Sequence, residues 1–381
     1  MRNILIFKGP NSRFEEIIKA HNENVLSLYE ILESRKKDED GSTKVGLKDY
    51  YESIIIDSTD FSSLSETGEK LINHMLTTFV YHFDIKHIFI QNPTETIEKK
   101  IKIMAKNNSE YNLEIIQHTY PMITKESLLN IYQNYSGTVI GQEKVKEEML
   151  NVLYTIYKKR NKGEPLVLMF FGPSGVGKTE SAKYFSEVLG GNKIFRVQMS
   201  MFQNSKSLDY LFGEEHNAKS FALDLLERES NVILLDEFDK TFDTVYSAFY
   251  QMFDEGVFRD RNYNVNLEDA IIICTSNYSD LTTIRRTIGD PLYFRFNKHI
   301  EFDELKKESV IKIIKLIYDN ILEELDDSEK DIVVKARLID YILSNVDTFM
   351  KQSPNYRRIK NFVGDLINSL LVKELIDDIE Q

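Results

Sequence analysis

The chain has 381 residues, with 48 Lys and Arg against 61 Asp and Glu and a formal net charge of −13. That length allows two or three cores, and an ordinary apolar share with few prolines and glycines describes a folded α/β or α-rich protein. The acidic balance disfavours nucleic acid as a partner, because such binding neutralises phosphates with Lys and Arg. Cys274 is the single cysteine, so no intrachain disulfide framework is available. No run approaches the roughly 18 apolar residues of a membrane span, and Met1–Lys8 is too short for a signal peptide. These features predict a cytoplasmic protein with no membrane partner.

In chain order, Asn3–Phe7, Ser53–Asp57, Lys86–Ile90 and Leu113–His118 read as short, Ile-rich buried strands. Helical spacing covers Phe14–Leu32, Glu66–Tyr81 and Thr94–Lys106, the last capped by Thr94 after Pro93. Ser34–Lys48, charged and carrying Gly41 and Gly46, reads as a flexible loop. The alternation predicts a small, mostly parallel sheet and a first domain over residues 1–120. Asp57 at a strand end reads as structural. His74, His82 and His87 have no cysteine or clear carboxylate beside them and read as structural rather than as a metal site.

Pro121 opens a linker over residues 121–138 with a helix near Lys125–Tyr135. A second α/β region follows over 139–302, with strands at Leu166–Phe171, Lys193–Gln198, Asn231–Leu235 and Ala270–Thr275. Residues 303–381 are helical, with three-and-four spacing in Leu305–Leu325, Ala336–Phe349 and Tyr356–Ile379.

The chemistry concentrates at Gly172-Pro173-Ser174-Gly175-Val176-Gly177-Lys178-Thr179-Glu180, between an apolar strand and a helix. In that frame the glycines let the loop curl, so that backbone N–H groups converge on a β-phosphate at a helix N-terminus. Lys178 would place its charge on the β- and γ-phosphates, and the Thr179 hydroxyl would be a Mg²⁺ ligand. Val232-Ile233-Leu234-Leu235-Asp236-Glu237 is the matching apolar strand ending in two acids. Asp236 would hold Mg²⁺, and Glu237 would polarise an attacking water as general base. ATP and Mg²⁺ are therefore the expected ligands.

These two motifs, with Ile271-Ile272-Ile273-Cys274-Thr275-Ser276-Asn277 after them, resemble the AAA+ superfamily over roughly residues 136–379. Within it they resemble the Clp-type branch, as in the second ATPase ring of the ClpB disaggregase. The resemblance implies a parallel sheet with flanking helices, a C-terminal helical lid and, ahead of both, a separate N-terminal α/β domain. It puts Ile140, from Val139-Ile140-Gly141-Gln142, against adenine, and Asn277 near the γ-phosphate and the attacking water. Within Pro291-Leu292-Tyr293-Phe294-Arg295-Phe296 it places the arginine finger on Arg295, with Arg285 and Arg286 as alternatives. The second sensor arginine falls on Arg357, or on Arg358, because Asn355-Tyr356 replaces the family's Gly-Ala.

The pattern breaks between Leu208 and Asn231. The Gly-Tyr-Val-Gly pore loop is absent, and Leu211-Phe212-Gly213-Glu214-Glu215-His216 stands in its place, acidic where an aromatic should project. Torsins are relatives that also lack that aromatic, and Asp236-Glu237-Phe238-Asp239-Lys240 is similar to their corresponding run. The resemblance thus implies a ring ATPase, hexameric by family habit, that remodels a protein partner recruited by residues 1–120. The alternative it leaves open is an ATP-gated switch or scaffold that signals without threading. Residues 53–93 also faintly resemble a STAS-type or receiver-like domain.

Overall fold

The computed structural model describes residues 2–21, 25–27, 52–58, 60, 85–190, 193–202, 205–213, 219–241, 243–351 and 354–380. The helix expected over Glu66–Tyr81, the loop Ser34–Lys48, His74, His82 and the acidic run Glu214–His216 lie outside them.

The first sheet joins β1 (Arg2–Lys8), β2 (Val25–Ser27), β3 (Ser53–Ile56), β4 (His87–Gln91) and β5 (Tyr111–Gln117) in the order β2-β3-β4-β1-β5. Every pairing is parallel. That order differs from the 2-1-3-4-5 of receiver-type folds, so the receiver comparison does not hold. Helix α1 (Asn11–Ala20) is shorter than the expected Phe14–Leu32, and Val25–Ser27 pairs with β3 instead. His21-Asn22-Glu23-Asn24 is weak in helix propensity, and a ladder partner outweighs what amphipathicity remains. Helix α2 (Glu95–Asn107) starts where expected, with the Thr94 hydroxyl accepting from Ile97 N–H at 3.4 Å. β5 forms at an edge rather than in the interior, which leaves Ile115 41% exposed.

Helices α3 (Lys125–Thr138) and α4 (Glu143–Tyr157) lead into the second sheet. α4 has no counterpart among the expected elements, although Val145, Met149, Leu153 and Ile156 bury one face of it at helical spacing. The sheet comprises β6 (Leu166–Phe171), β7 (Phe195–Gln198), β8 (Val232–Asp236), β11 (Ile271–Thr275) and β12 (Lys298–Glu301), in the order β12-β6-β11-β8-β7 and all parallel. Between β8 and β11, β9 (Val257–Arg259) and β10 (Asn264–Asn266) make an antiparallel hairpin. β12 and the hairpin were not expected.

β6, β8 and β11 are buried along their whole length. Strand side chains alternate faces, so Leu168, Phe170, Leu234 and Ile273 enter one core while Val167, Met169, Leu235 and Cys274 enter the other. The first core continues through Phe302 and Leu305 into the C-terminal helices. These are α10 (Lys307–Glu324), α11 (Asp327–Lys335), α12 (Leu338–Ser344), α13 (Val346–Met350) and α14 (Tyr356–Glu380); α5 (Lys178–Val188) to α9 (Leu281–Tyr293) lie between the strands before them, with α6 at Ser205–Phe212, α7 at Phe221–Leu226 and α8 at Tyr250–Glu255. The single helix expected over Ala336–Phe349 is therefore broken. Arg337 sits at φ 50°, and α11 starts earlier on an Asp326–Glu329 capping box. No helix among the described residues is long and apolar enough to cross a membrane.

Candidate functional site

Parallel strands deliver their C-terminal ends to one edge, and in this sheet β6 and β8 flank β11. Three loops therefore meet there: Gly172–Gly177 after β6, Asp236–Glu237 at β8, and Thr275–Asn277 at β11. Gly172, at φ 129°, presses against the end of β12, and a Cβ there would come within 2.3 Å of the Phe302 carbonyl oxygen. Only glycine fits that crossing. Gly177, at φ 109°, turns the loop into α5.

Lys178 is 8% exposed. Its Nζ donates to the Gly172 carbonyl at 2.7 Å, the Pro173 carbonyl at 2.6 Å and Asn277 Oδ1 at 3.1 Å. Burial pushes its pKa down to about 8, against the pull of Asp239 and Asp236. The Thr179 hydroxyl lies 3.3 and 3.4 Å from the two Asp236 oxygens. A hydroxyl and a carboxylate side by side are the hard oxygen donors that Mg²⁺ takes, so this pair fits that ion. Among the described residues there is no separate cluster of three or more His, Cys, Asp or Glu suited to a metal.

Asp236 is 4% exposed. The Thr275 hydroxyl donates to its Oδ1 and accepts the Glu237 N–H at 3.0 Å. Thr275 thus fixes the Asp236 carboxylate and the Glu237 backbone together, a role not legible in the sequence. Glu237 is half-buried in the left-handed region at φ 55°, a strained conformation for a side chain of its size.

A cavity of about 520 Å³ joins these groups, a volume suited to a nucleotide-sized ligand. Its lining brings together the predicted Ile140, Ser174, Gly175, Val176, Gly177, Lys178, Thr179 and Glu180 with Asp236, Glu237, Asn277 and Arg357. Gly172 and Pro173 stand behind it, as acceptors for Lys178. Arg357 arrives on α14, whose first residue, Tyr356, donates its N–H to the Gly175 carbonyl at 3.0 Å. Arg358 is outside the lining. Arg295 is also outside: its Nε donates to Asp254 Oδ2 at 2.7 Å and its guanidinium lies 4.4 Å from the Tyr250 ring centroid. Arg285 pairs with Asp290 at 2.6 Å.

Three further residues belong to the site and were given no role from sequence. Gln142, 2% exposed, donates to the Val176 and Asp303 carbonyls at 3.2 and 3.0 Å and accepts the Asp303 N–H at 3.2 Å. Asp239 keeps a buried Oδ1 that has no hydrogen-bond partner among the described residues. Arg196 donates to Asp236 Oδ2 through Nε at 3.0 Å and a terminal nitrogen at 2.5 Å. Nothing in its local spacing announces this contact, because it depends on β7 lying beside β8.

A glycine-rich loop after an interior strand of an all-parallel sheet, facing an acidic pair and Asn277, is the arrangement of a P-loop ATPase, here followed by C-terminal helices. Comparisons with known proteins narrow it. Residues 164–329 match the family model described as AAA domain (Cdc48 subfamily). The chaperone protein ClpB of Malacoplasma penetrans is 27% identical over 289 residues, which cover 67% of this chain and 39% of that protein. The ATP-dependent Clp protease ATP-binding subunit ClpL of Staphylococcus aureus is 27% identical over 266 residues, 64% of this chain and 38% of the subunit. The chain thus spans about two fifths of the length of the curated relatives it matches. Among solved structures, a closed-state reconstruction of Hsp104 with ATPγS and FITC casein aligns with a TM-score of 0.57 at 14% identity, covering 98% of this chain and 88% of that one. Residues 164–329 thus match an AAA domain, and the chain is similar to ATPases of the Clp type.

Proposed function

We propose that the protein hydrolyses ATP with Mg²⁺ as a ring, and uses the cycle to remodel a protein partner engaged by residues 1–120. The division into 1–120, a linker at 121–138, an ATPase core at 139–302 and a lid at 303–381 is part of that proposal. The observation that carries it is the assembled cavity, in which Lys178, Thr179, Asp236, Glu237 and Asn277 converge from three strands.

In this reading the loop N–H groups from Gly175 to Lys178 cradle the phosphates, and Lys178 moves from its backbone acceptors to the phosphate oxygens. Ile140 and Val139 offer an apolar wall to the base. Thr179 and Asp236 hold Mg²⁺, which when bound neutralises charge on the β- and γ-oxygens. Glu237 takes the proton of the attacking water, and Asn277 orients that water. Arg357 reaches the phosphates from the lid. Arg295, outside its own cavity, suits a role on the site of the next subunit, so turnover depends on assembly. A hexamer in the cytoplasm is the form this reading expects.

The test is steady-state phosphate release by Lys178→Ala, Glu237→Gln and Arg295→Ala. A general base contributes about 10²–10⁴ in rate and an arginine finger about 10³–10⁵. Glu237→Gln should also trap an ATP-bound ring visible on sizing. Wild-type turnover by all three variants would remove the basis for the site. A second reading, an ATP-gated switch or scaffold, is favoured by one feature: Leu211-Phe212-Gly213 has no aromatic pore motif after it. ATP-dependent unfolding of an added protein would separate the two, since a switch gives none.

A further inference from the structure

Arg196 lies on β7, where Arg196 pairs with Leu234 and Gln198 with Asp236. Its guanidinium reaches along the strand to place two nitrogens on Asp236 Oδ2, and one of them also donates to Gln198 Oε1 at 3.2 Å. The ends of this pair differ in environment. The Asp236 side chain is 6% exposed, whereas that of Arg196 is 43% exposed and lines the nucleotide cavity. The other carboxylate oxygen, Oδ1, faces the Thr275 and Thr179 hydroxyls. Both oxygens are therefore engaged by protein donors. A second cation that uses Asp236 must approach a guanidinium of its own sign.

We propose that Arg196 is a positioning residue that aims the Asp236 carboxylate and competes with Mg²⁺ for Oδ2. Loading of metal and nucleotide then requires the guanidinium to release that carboxylate. This rests on Asp236 being the metal-side acid of the nucleotide site. The exchange is geometrically open because the arginine end is exposed while the carboxylate end is anchored. Mg²⁺ gives up its water reluctantly and binds best where phosphates share its charge. The pair therefore favours entry of metal together with nucleotide over metal alone.

Equilibrium binding of a fluorescent mant-ADP to the full chain, across a series of free Mg²⁺ concentrations, tests this. Removing a partly exposed competing ion pair should lower the Mg²⁺ midpoint about threefold or more in Arg196→Met. Arg196→Lys, which keeps the charge but not the two-point contact, should fall between that variant and wild type. Melting in the absence of nucleotide distinguishes a merely structural arginine, which would lower the melting temperature and leave the Mg²⁺ midpoint in place. An unchanged or raised midpoint in Arg196→Met overturns the proposal; if that variant does not fold, an unchanged midpoint in Arg196→Lys does so. Lys178→Ala separates the two levels of inference. Should wild type bind no mant-ADP at any Mg²⁺ concentration, or Lys178→Ala bind like wild type, the nucleotide site itself is wrong and Arg196 falls with it. Normal wild-type binding with an unmoved midpoint overturns Arg196 alone.

Discussion

Replacing Gln142 by alanine should both destabilise the protein and loosen its grip on nucleotide. The side chain is 2% exposed and spends its amide on three backbone groups, the Val176 carbonyl and both the carbonyl and N–H of Asp303. Alanine strips all three. A buried polar group left without a partner costs about 1–3 kcal/mol, and water reaches Asp303 more readily than Val176. The sum expected is about 2–4 kcal/mol, together with the small cavity left by the missing amide. Because Val176 belongs to the glycine-rich loop and Asp303 follows β12, the same bonds tie that loop to the start of the C-terminal helices. Nucleotide affinity should therefore fall with stability. Gln142→Glu is the sharper arm: it keeps the shape and the acceptor but sets a carboxylate against two carbonyls, so its loss should match or exceed that of alanine. The chain has no tryptophan, so urea unfolding is followed by circular dichroism, alongside mant-ADP titration. Loss of under about 1 kcal/mol with unchanged affinity in both variants would refute the reasoning.

Other expectations follow from single contacts. Gly172→Ala forces a Cβ against the Phe302 carbonyl at a left-handed φ and should cost about 1–3 kcal/mol, read as a shifted urea midpoint. Leu153→Ala, at a fully buried site on α4, should cost about 2–5 kcal/mol, whereas Leu153→Met should be nearly neutral. Thr275→Val keeps the shape of the side chain but removes the hydroxyl that fixes both acids. Phosphate release should drop well before melting does. Asp60 has a carboxyl raised to about 6, by burial first and by Asp57 as a lesser charge effect. Its folded value is above its unfolded one, so the contribution is present in full below about pH 4 and lost as pH rises through 6. Asp60→Asn should accordingly gain stability over wild type at pH 7 and lose that advantage by pH 4, measured by thermal melts at the two values.

Much of the fold was legible because its signals are local. Leu166–Phe171 and Val232–Leu235 are unbroken apolar runs, which only a strand covered on both faces can accommodate, and a glycine loop or an acidic pair ends each. Thr94 announced a helix start through its own cap. What is not legible there depends on neighbours distant in sequence. Lys298–Glu301 carries two charged ends and a single buried Ile300, and only pairing with β6 makes a strand of it. Val25–Ser27 passes for the end of a helix until β3 offers it a partner. In the site, the phosphate loop and the acids could be read off directly, since backbone shape and side-chain type are both local. The contacts of Thr275, Gln142 and Arg196 could not, because each arises where segments distant in sequence meet. α4 is the exception, for the period of Val145, Met149, Leu153 and Ile156 is present in the sequence.

The hydrogen bond from Tyr356 N–H to the Gly175 carbonyl attaches one end of a long rod to the phosphate loop. α14 runs from Tyr356 to Glu380, 25 residues, which at about 1.5 Å per residue is roughly 37 Å. Its buried face, Ile359, Val363 and Ile367, sits in the same core as Phe170 and Ile300, while Leu375 and Ile376, further along, are 61% and 49% exposed. The glycine loop is thus bonded directly to a helix seated on the sheet's own core, so strain at one end of that bond is felt at the other.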